Sequence, residues 1–116
     1  MCDKNTAIQI MNEVVERAKA MPWGDSFVDA YLFGSYARGD YDDESDIDIF
    51  LAFEKSEEEI SHINDAIIHI DSDVSLEHDI TVSTVVRSAN YFRKYANASP
   101  LFMNILSEGI RYAVHQ

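Results

Sequence analysis

Apolar residues recur along this chain first at helical spacing and then in alternation. Ile8, Met11, Val14, Val15, Ala18 and Met21 fall three or four apart, the stripe of an amphipathic helix. Thr6, followed three residues later by Gln9, reads as its capping box. Pro22-Trp23-Gly24-Asp25 interrupts the pattern as a turn. Phe27 to Phe33 then alternates and is aromatic-rich, as expected of a strand that Gly34 ends. Ser35 is placed to cap a short helix through Arg38, which Gly39 closes.

A polar loop, Asp40 to Ser45, leads to a second strand, Asp46 to Phe53. Its period of two sends Ile47, Ile49, Leu51 and Phe53 one way and Asp46 and Asp48 the other. Ser56 caps a helix with Ile60, Ile63, Ile67 and Ile70 as its buried stripe. Residues 77–86 alternate again and predict a third strand, with Asp79 and Glu77 on the face opposite Ile80, Val82, Thr84 and Val86. A helix is expected from Asn90 to Ala96. Another starts at Ser99-Pro100, stops at Gly109 and buries Leu101, Phe102, Ile105 and Leu106. The order predicts an α/β fold, a short mixed sheet with helices on one face, forming one domain over residues 1–116.

Composition narrows the function. The chain has 116 residues, 47% of them apolar, enough for one core. No apolar run approaches the ~20 residues that span a bilayer. The N-terminus, Met-Cys-Asp-Lys, lacks the layout of a signal peptide, and Cys2 is the single cysteine. A cytoplasmic protein without disulfides is the expectation. The net charge is -12, which disfavours gripping duplex nucleic acid or an acidic membrane. Residues 40–79 carry 15 acids and one base. Most such acids form a solvated surface, but several here alternate with apolar residues on strands.

Three features converge. Gly34-Ser35 joins a strand to a helix, where free amides, a hydroxyl and the helix dipole can seat a phosphate. Asp46 and Asp48 project in parallel from one strand, about 6–7 Å apart along it. Asp79 is expected on an adjacent strand as a third acid, with Glu77 in reserve. Clustered carboxylates lose stability without a counterion, and magnesium takes oxygen ligands while sharing its shell with substrate phosphates. The pattern therefore points to metal-assisted phosphoryl or nucleotidyl transfer.

Gly34-Ser35, ten intervening residues, then Asp46-Ile47-Asp48 resembles the signature of the nucleotidyltransferase superfamily that includes the polymerase-beta-like enzymes. The strings Phe33-Gly34-Ser35-Tyr36-Ala37-Arg38-Gly39 and Ser45-Asp46-Ile47-Asp48-Ile49 are most similar to the minimal nucleotidyltransferases. Ile105 through Glu108-Gly109-Ile110 resembles the helix end of those proteins. The resemblance implies Mg2+-dependent transfer of a nucleoside monophosphate, typically AMP from ATP, to a hydroxyl. In many such proteins that hydroxyl belongs to a partner HEPN toxin, which the transferase silences as an antitoxin. It also implies that Asp46 and Asp48 hold one or two metal ions, that Asp79 ligates the metal beside the attacking hydroxyl, and that Gly34 and Ser35 seat the phosphates. Arg38 fits either a phosphate contact or an ion pair with Asp40 or Asp42.

Two other functions compete with this one: a silent binding module that masks its partner, and a transferase acting on a small molecule such as an antibiotic. Relatives of the latter kind usually carry an extra helical domain. His62 and His69 share a helix face without a third ligand, and His78 is assigned a structural role. Tyr91, Phe92 and Tyr95 are core or interface aromatics. Arg111 and His115 stand too close for the Arg-x(4–6)-His pair of the HEPN ribonuclease, so the chain is not the toxin. Homo-oligomerisation is left open.

Overall fold

The computed structural model describes residues 2–113, so His115 lies outside the described residues. The elements are α1 (Lys4–Lys19), β1 (Phe27–Phe33), α2 (Ser35–Arg38), β2 (Ile47–Phe53), α3 (Glu57–His78), β3 (Val82–Ser88), α4 (Ala89–Tyr95), α5 (Pro100–Glu108) and β4 (Ile110–Arg111). The cap of α1 is Asp3, whose side chain accepts from the Thr6 amide, so the helix starts ahead of the Thr6 box. The caps at Ser56 and Ser99 form as expected. Ser56 and Glu59 make a reciprocal capping box, and Ser99 accepts from the Phe102 amide ahead of Pro100.

One four-stranded sheet has the order β3-β2-β1-β4. β1 pairs antiparallel with β2 and with β4, while β2 and β3 run parallel across the crossover that contains α3. The mixed α/β class and the short mixed sheet are as the sequence predicts. The helices, however, divide between two faces. Leu32, Ile47, Ile49, Leu51, Phe53 and Val86 pack with the stripes of α1 and α3. Tyr31, Phe50 and Ala52, on the Asp48 side of the strands, pack with Ala89 and Phe92 of α4 and Phe102 and Ile105 of α5. The run Ile49-Phe50-Leu51-Ala52-Phe53 is apolar on both faces, the composition of a strand covered on both sides.

The largest departure lies between α3 and β3. The apolar spacing that begins at Ile60 continues through Ile67, Ile70 and Val74, and α3 follows it for 22 residues, to His78. An ion pair and a hydrogen bond tie its last turn to α1: Arg17 to Glu77 at 2.6 Å and His78 Nε2 with Glu13 at 2.8 Å. Asp79 is therefore the helix C-cap, with left-handed backbone (φ 52), and β3 starts at Val82, not at residue 77. Side chains of α3 also serve the outer edge of β3. The Val82 amide donates to Ser75 Oγ at 3.0 Å, and Thr84 Oγ1 donates to the buried Asp71 at 2.7 Å. These contacts occupy polar groups that an edge strand otherwise offers to another chain. Among the described residues, no helix is long and apolar enough to cross a membrane.

Candidate active site

The turn from β1 into α2 is built around Asp48. Gly34 has φ +76 and ψ -154, a region open essentially to glycine alone. A Cβ there would also collide with the Asp48 carboxylate. Two independent constraints thus require glycine, and both serve the approach of this turn to β2. α2 is one turn long: the Arg38 amide donates to Gly34 O at 3.1 Å and the Gly39 amide to Ser35 O at 2.9 Å. Gly39 closes it in the left-handed region.

The loop between α2 and β2 is ordered by its own acids. Asp42 Oδ1 accepts from the Glu44 amide at 2.9 Å, and Ser45 Oγ accepts from the Asp42 amide at 2.9 Å. Asp42 thus builds a turn where the sequence suggests only a solvated acid or a partner for Arg38. The Ile47 amide donates to Thr81 O at 2.9 Å, which fixes the start of β2 and with it the positions of Asp46 and Asp48.

Asp48 is half-buried and Asp46 exposed. Burial pushes the Asp48 carboxyl above the usual carboxylate range; the Asp46 charge adds to the rise and the Arg38 guanidinium opposes it. Asp48 lines a cavity of about 350 Å3 with Gly34, Ser35 and Arg38, closed on the far side by Leu101, Asn104 and Glu108 of α5. Arg38 reaches Asp40 at 3.3 Å and Glu108 at 3.7 Å. It therefore makes the ion pair and also borders the cavity. The α5 wall is absent from the sequence reading. Its signal was the Glu108-Gly109 helix end, but spacing alone does not say across which strand α5 folds.

The structure brings Gly34, Ser35, Arg38 and Asp48 together, with Asp46 close enough to act on the Asp48 charge. It does not bring Asp79 to them. Asp79 is exposed, sits on a helix cap and lines a separate cavity with Tyr36 and Asp43. In the parallel ladder the residue opposite Asp48 on β3 is Ser83, so the strand position expected to carry a third carboxylate holds a hydroxyl. Glu77, the reserve, is engaged by Arg17.

Among the described residues, the group of three ligand side chains converging within 4.8 Å is Glu13, Glu77 and His78. Arg17 bridges both of its carboxylates, which accounts for the cluster as a salt-bridge network. Its hydrogen bond to His78 holds the Glu13 carboxyl below the usual range. His78 thus has the structural role assigned to it, and His62 and His69 are exposed outside this group.

A divalent cation suits the donor set at Asp46 and Asp48. Two like charges lie side by side with hard oxygen donors, one of them half-buried and raised in pKa, and Arg38 is the cation that offsets them. The glycine beside Asp48 keeps the carboxylate open to the cavity.

The sequence matches the nucleotidyltransferase domain family over residues 11–112. It is 37% identical over 79 residues to MJ0604 of Methanocaldococcus jannaschii, named as a candidate protein adenylyltransferase, covering 67% of this chain and 70% of that protein. The fold is similar to that of a crystal structure from Sulfolobus solfataricus named as a candidate nucleotidyltransferase. That likeness has a TM-score of 0.57 at 21% identity and covers 93% of this chain and 80% of the other. A toxin–antitoxin crystal structure with AMP-PNP gives a TM-score of 0.56 at 19% identity, over 94% and 74% of the two chains.

Proposed function

Because this chain belongs to the nucleotidyltransferase domain family, we propose that it transfers AMP from Mg2+-bound ATP to a tyrosine hydroxyl of a partner HEPN-type toxin, breaking the α–β phosphoanhydride and releasing pyrophosphate, and so acts as its antitoxin. The observation that carries the reading is Asp48 set against the Gly34-Ser35 turn in one cavity, with the Asp46 charge acting on it from two residues away on the same chain. The relative named for protein adenylylation and the toxin–antitoxin structure with AMP-PNP support the donor nucleotide and the protein acceptor.

The acids, the turn and Arg38 divide the tasks of this reaction. Asp46 and Asp48 would hold magnesium, which when bound neutralises charge on the phosphates. The Ser35 hydroxyl and the amides that open α2 donate to phosphate oxygens. Arg38, already at the cavity rim, exchanges part of its pairing with Asp40 and Glu108 for the triphosphate.

The hydroxyl at Ser83 bears on the choice of acceptor. With no carboxylate opposite Asp48 on β3, this chain offers no strong base there. A phenol, with a pKa of about 10, loses its proton far more easily than an aliphatic alcohol. Tyrosine is therefore the acceptor that a two-carboxylate site favours.

The test incubates the protein with Mg2+, α-labelled ATP and the protein encoded beside it. Label is expected on a tyrosine of that protein and is expected to vanish with Asp46→Asn or Asp48→Asn. Neutralisation that survives both substitutions with no label transferred would make the chain a masking partner. Label on a small metabolite alone would move the acceptor outside proteins.

A further inference from the structure

Three side chains of α5, Leu101, Asn104 and Glu108, line the candidate cavity. They stand three and four residues apart, so they share one face of the helix. Glu108 pairs with Arg38 and marks the end where the triphosphate is proposed to lie. Asn104 stands one turn back along the axis, about 6 Å, and Leu101 two turns back, about 10 Å. A nucleotide with its phosphates at Arg38 and the Gly34-Ser35 turn has this face beside its nucleoside.

Phe33 and Leu101 supply the apolar part of the cavity wall. Both are half-buried and back onto the core cluster of Phe50, Phe92 and Phe102. They form a fixed shelf for the flat face that every base presents. Asn104 is the neutral polar side chain beside that shelf. Its backbone carbonyl accepts from Ser107 Oγ at 3.4 Å, and among the described residues its carboxamide pairs with no other side chain. α5 is held by its Ser99 cap and by the burial of Phe102 and Ile105, so a short side chain is presented from a rigid element.

A carboxamide offers an acceptor and a donor side by side. Adenine presents the complement, an N6 amino donor beside the N7 acceptor, whereas guanine presents two acceptors on that edge, O6 and N7. With guanine, one acceptor would face the Asn104 carbonyl and lose its partner. We infer that Asn104 is the specificity-determining residue for the base, donating to N7 of adenine and accepting from its N6 amino group while the ring lies on Phe33 and Leu101. The inference rests on the nucleotidyl transfer proposed above and assigns its choice of nucleotide to one side chain.

Calorimetric titration of Mg2+-bound nucleotides into the protein without acceptor tests this. The parent is expected to bind ATP about tenfold more tightly than GTP, and to bind 7-deaza-ATP, which has carbon in place of N7, about fivefold more weakly than ATP. Asn104→Leu places a good helix former at an exposed helix position. It is expected to bring both GTP and 7-deaza-ATP within about twofold of ATP. A parent that binds ATP and GTP equally, or a preference for ATP that Asn104→Leu keeps, overturns the inference. So does a loss with 2′-deoxy-ATP that vanishes in the variant, which would put Asn104 on the ribose. Label transfer to the acceptor is then measured with the same proteins. Discrimination through Asn104 without any transfer would remove the proposed reaction and leave the base reading in place. Transfer that stays equally selective in Asn104→Leu would do the reverse. No binding of any of these nucleotides at millimolar concentration overturns both.

Discussion

Two cavities share the single turn of α2, Ser35 and Arg38 facing one and Tyr36 the other, and they differ in what their acids stand on. Asp48 stands within a strand, half-buried, beside a glycine whose backbone only glycine adopts and within range of an arginine. Asp79 stands on the end of a helix, exposed, among apolar groups and a second acid. A strand hydrogen-bonded on both sides fixes the direction of a carboxylate to within the pleat. A left-handed cap only hands the chain on to the next element. Acids of the same type thus differ in what they can do: the first has the fixed setting that suits a metal and a phosphate, and the second lacks it.

The sharpest way to break this comparison is to neutralise one acid from each side. Asp48→Asn is expected to lower label transfer about 100-fold or more, since the proposed reaction would lose a metal ligand. Asp79→Asn is expected to lower it at most a few-fold. Equal losses would return Asp79 to the reacting centre. Gly34→Ala probes the same side through the backbone. It is expected to cost about 2 kcal/mol of stability from the strained dihedrals, read by denaturant unfolding, and to displace the Asp48 carboxylate so that Mg2+ affinity falls. A variant as stable as the parent, with unchanged Mg2+ affinity, would show that the turn is not the seat of Asp48.

How far the sequence reached follows the same division. β1, the Gly34 turn and β2 were legible because period-two alternation, a glycine at a strand end and the Asp-x-Asp spacing all constrain the same few residues. The strand position of Asp79 was not legible. Residues 77–86 alternate cleanly, but 77–78 also continue the spacing of Ile67, Ile70 and Val74, and only the contacts of Glu77 and His78 with α1 decide for helix. The α5 wall was hidden for a related reason. Its stripe shows that it buries a face, and the doubly apolar Ile49–Phe53 run shows that a second face is covered. Neither says that Glu108 ends at Arg38.

A third substitution bears on how strand and helix share charge away from both cavities. Asp71, on α3, is buried against Thr84 of β3. Desolvation pushes its carboxyl up to about 6, against the lowering effect of the Thr84 hydrogen bonds. Its folded pKa lies above the unfolded value of about 3.9, so the folded state holds the proton more tightly between those values. The stability from the neutral form is fully present below about pH 4 and is lost as pH rises through 6, up to about 3 kcal/mol in all. Asparagine keeps an acceptor for the Thr84 hydroxyl without the charge. Asp71→Asn is therefore expected to be more stable than the parent at pH 8, with the difference closing toward pH 4. A pH-independent difference in melting temperature would contradict this.

The smallest effect separates the two roles of Arg38. Its contact with Glu108 spans 3.7 Å between side chains that are each more than two-fifths exposed, and such pairs contribute at most about 1 kcal/mol. Glu108→Gln is therefore expected to leave the melting temperature nearly unchanged. If Arg38 exchanges that pair for the triphosphate, the substitution frees it in advance. The KM for ATP then falls by up to about threefold while kcat holds, because only the cost of breaking the pair before binding has been removed. A rise in KM would mean that Glu108 positions the guanidinium for the nucleotide, and the α5 wall would then belong to the site as firmly as β2 does.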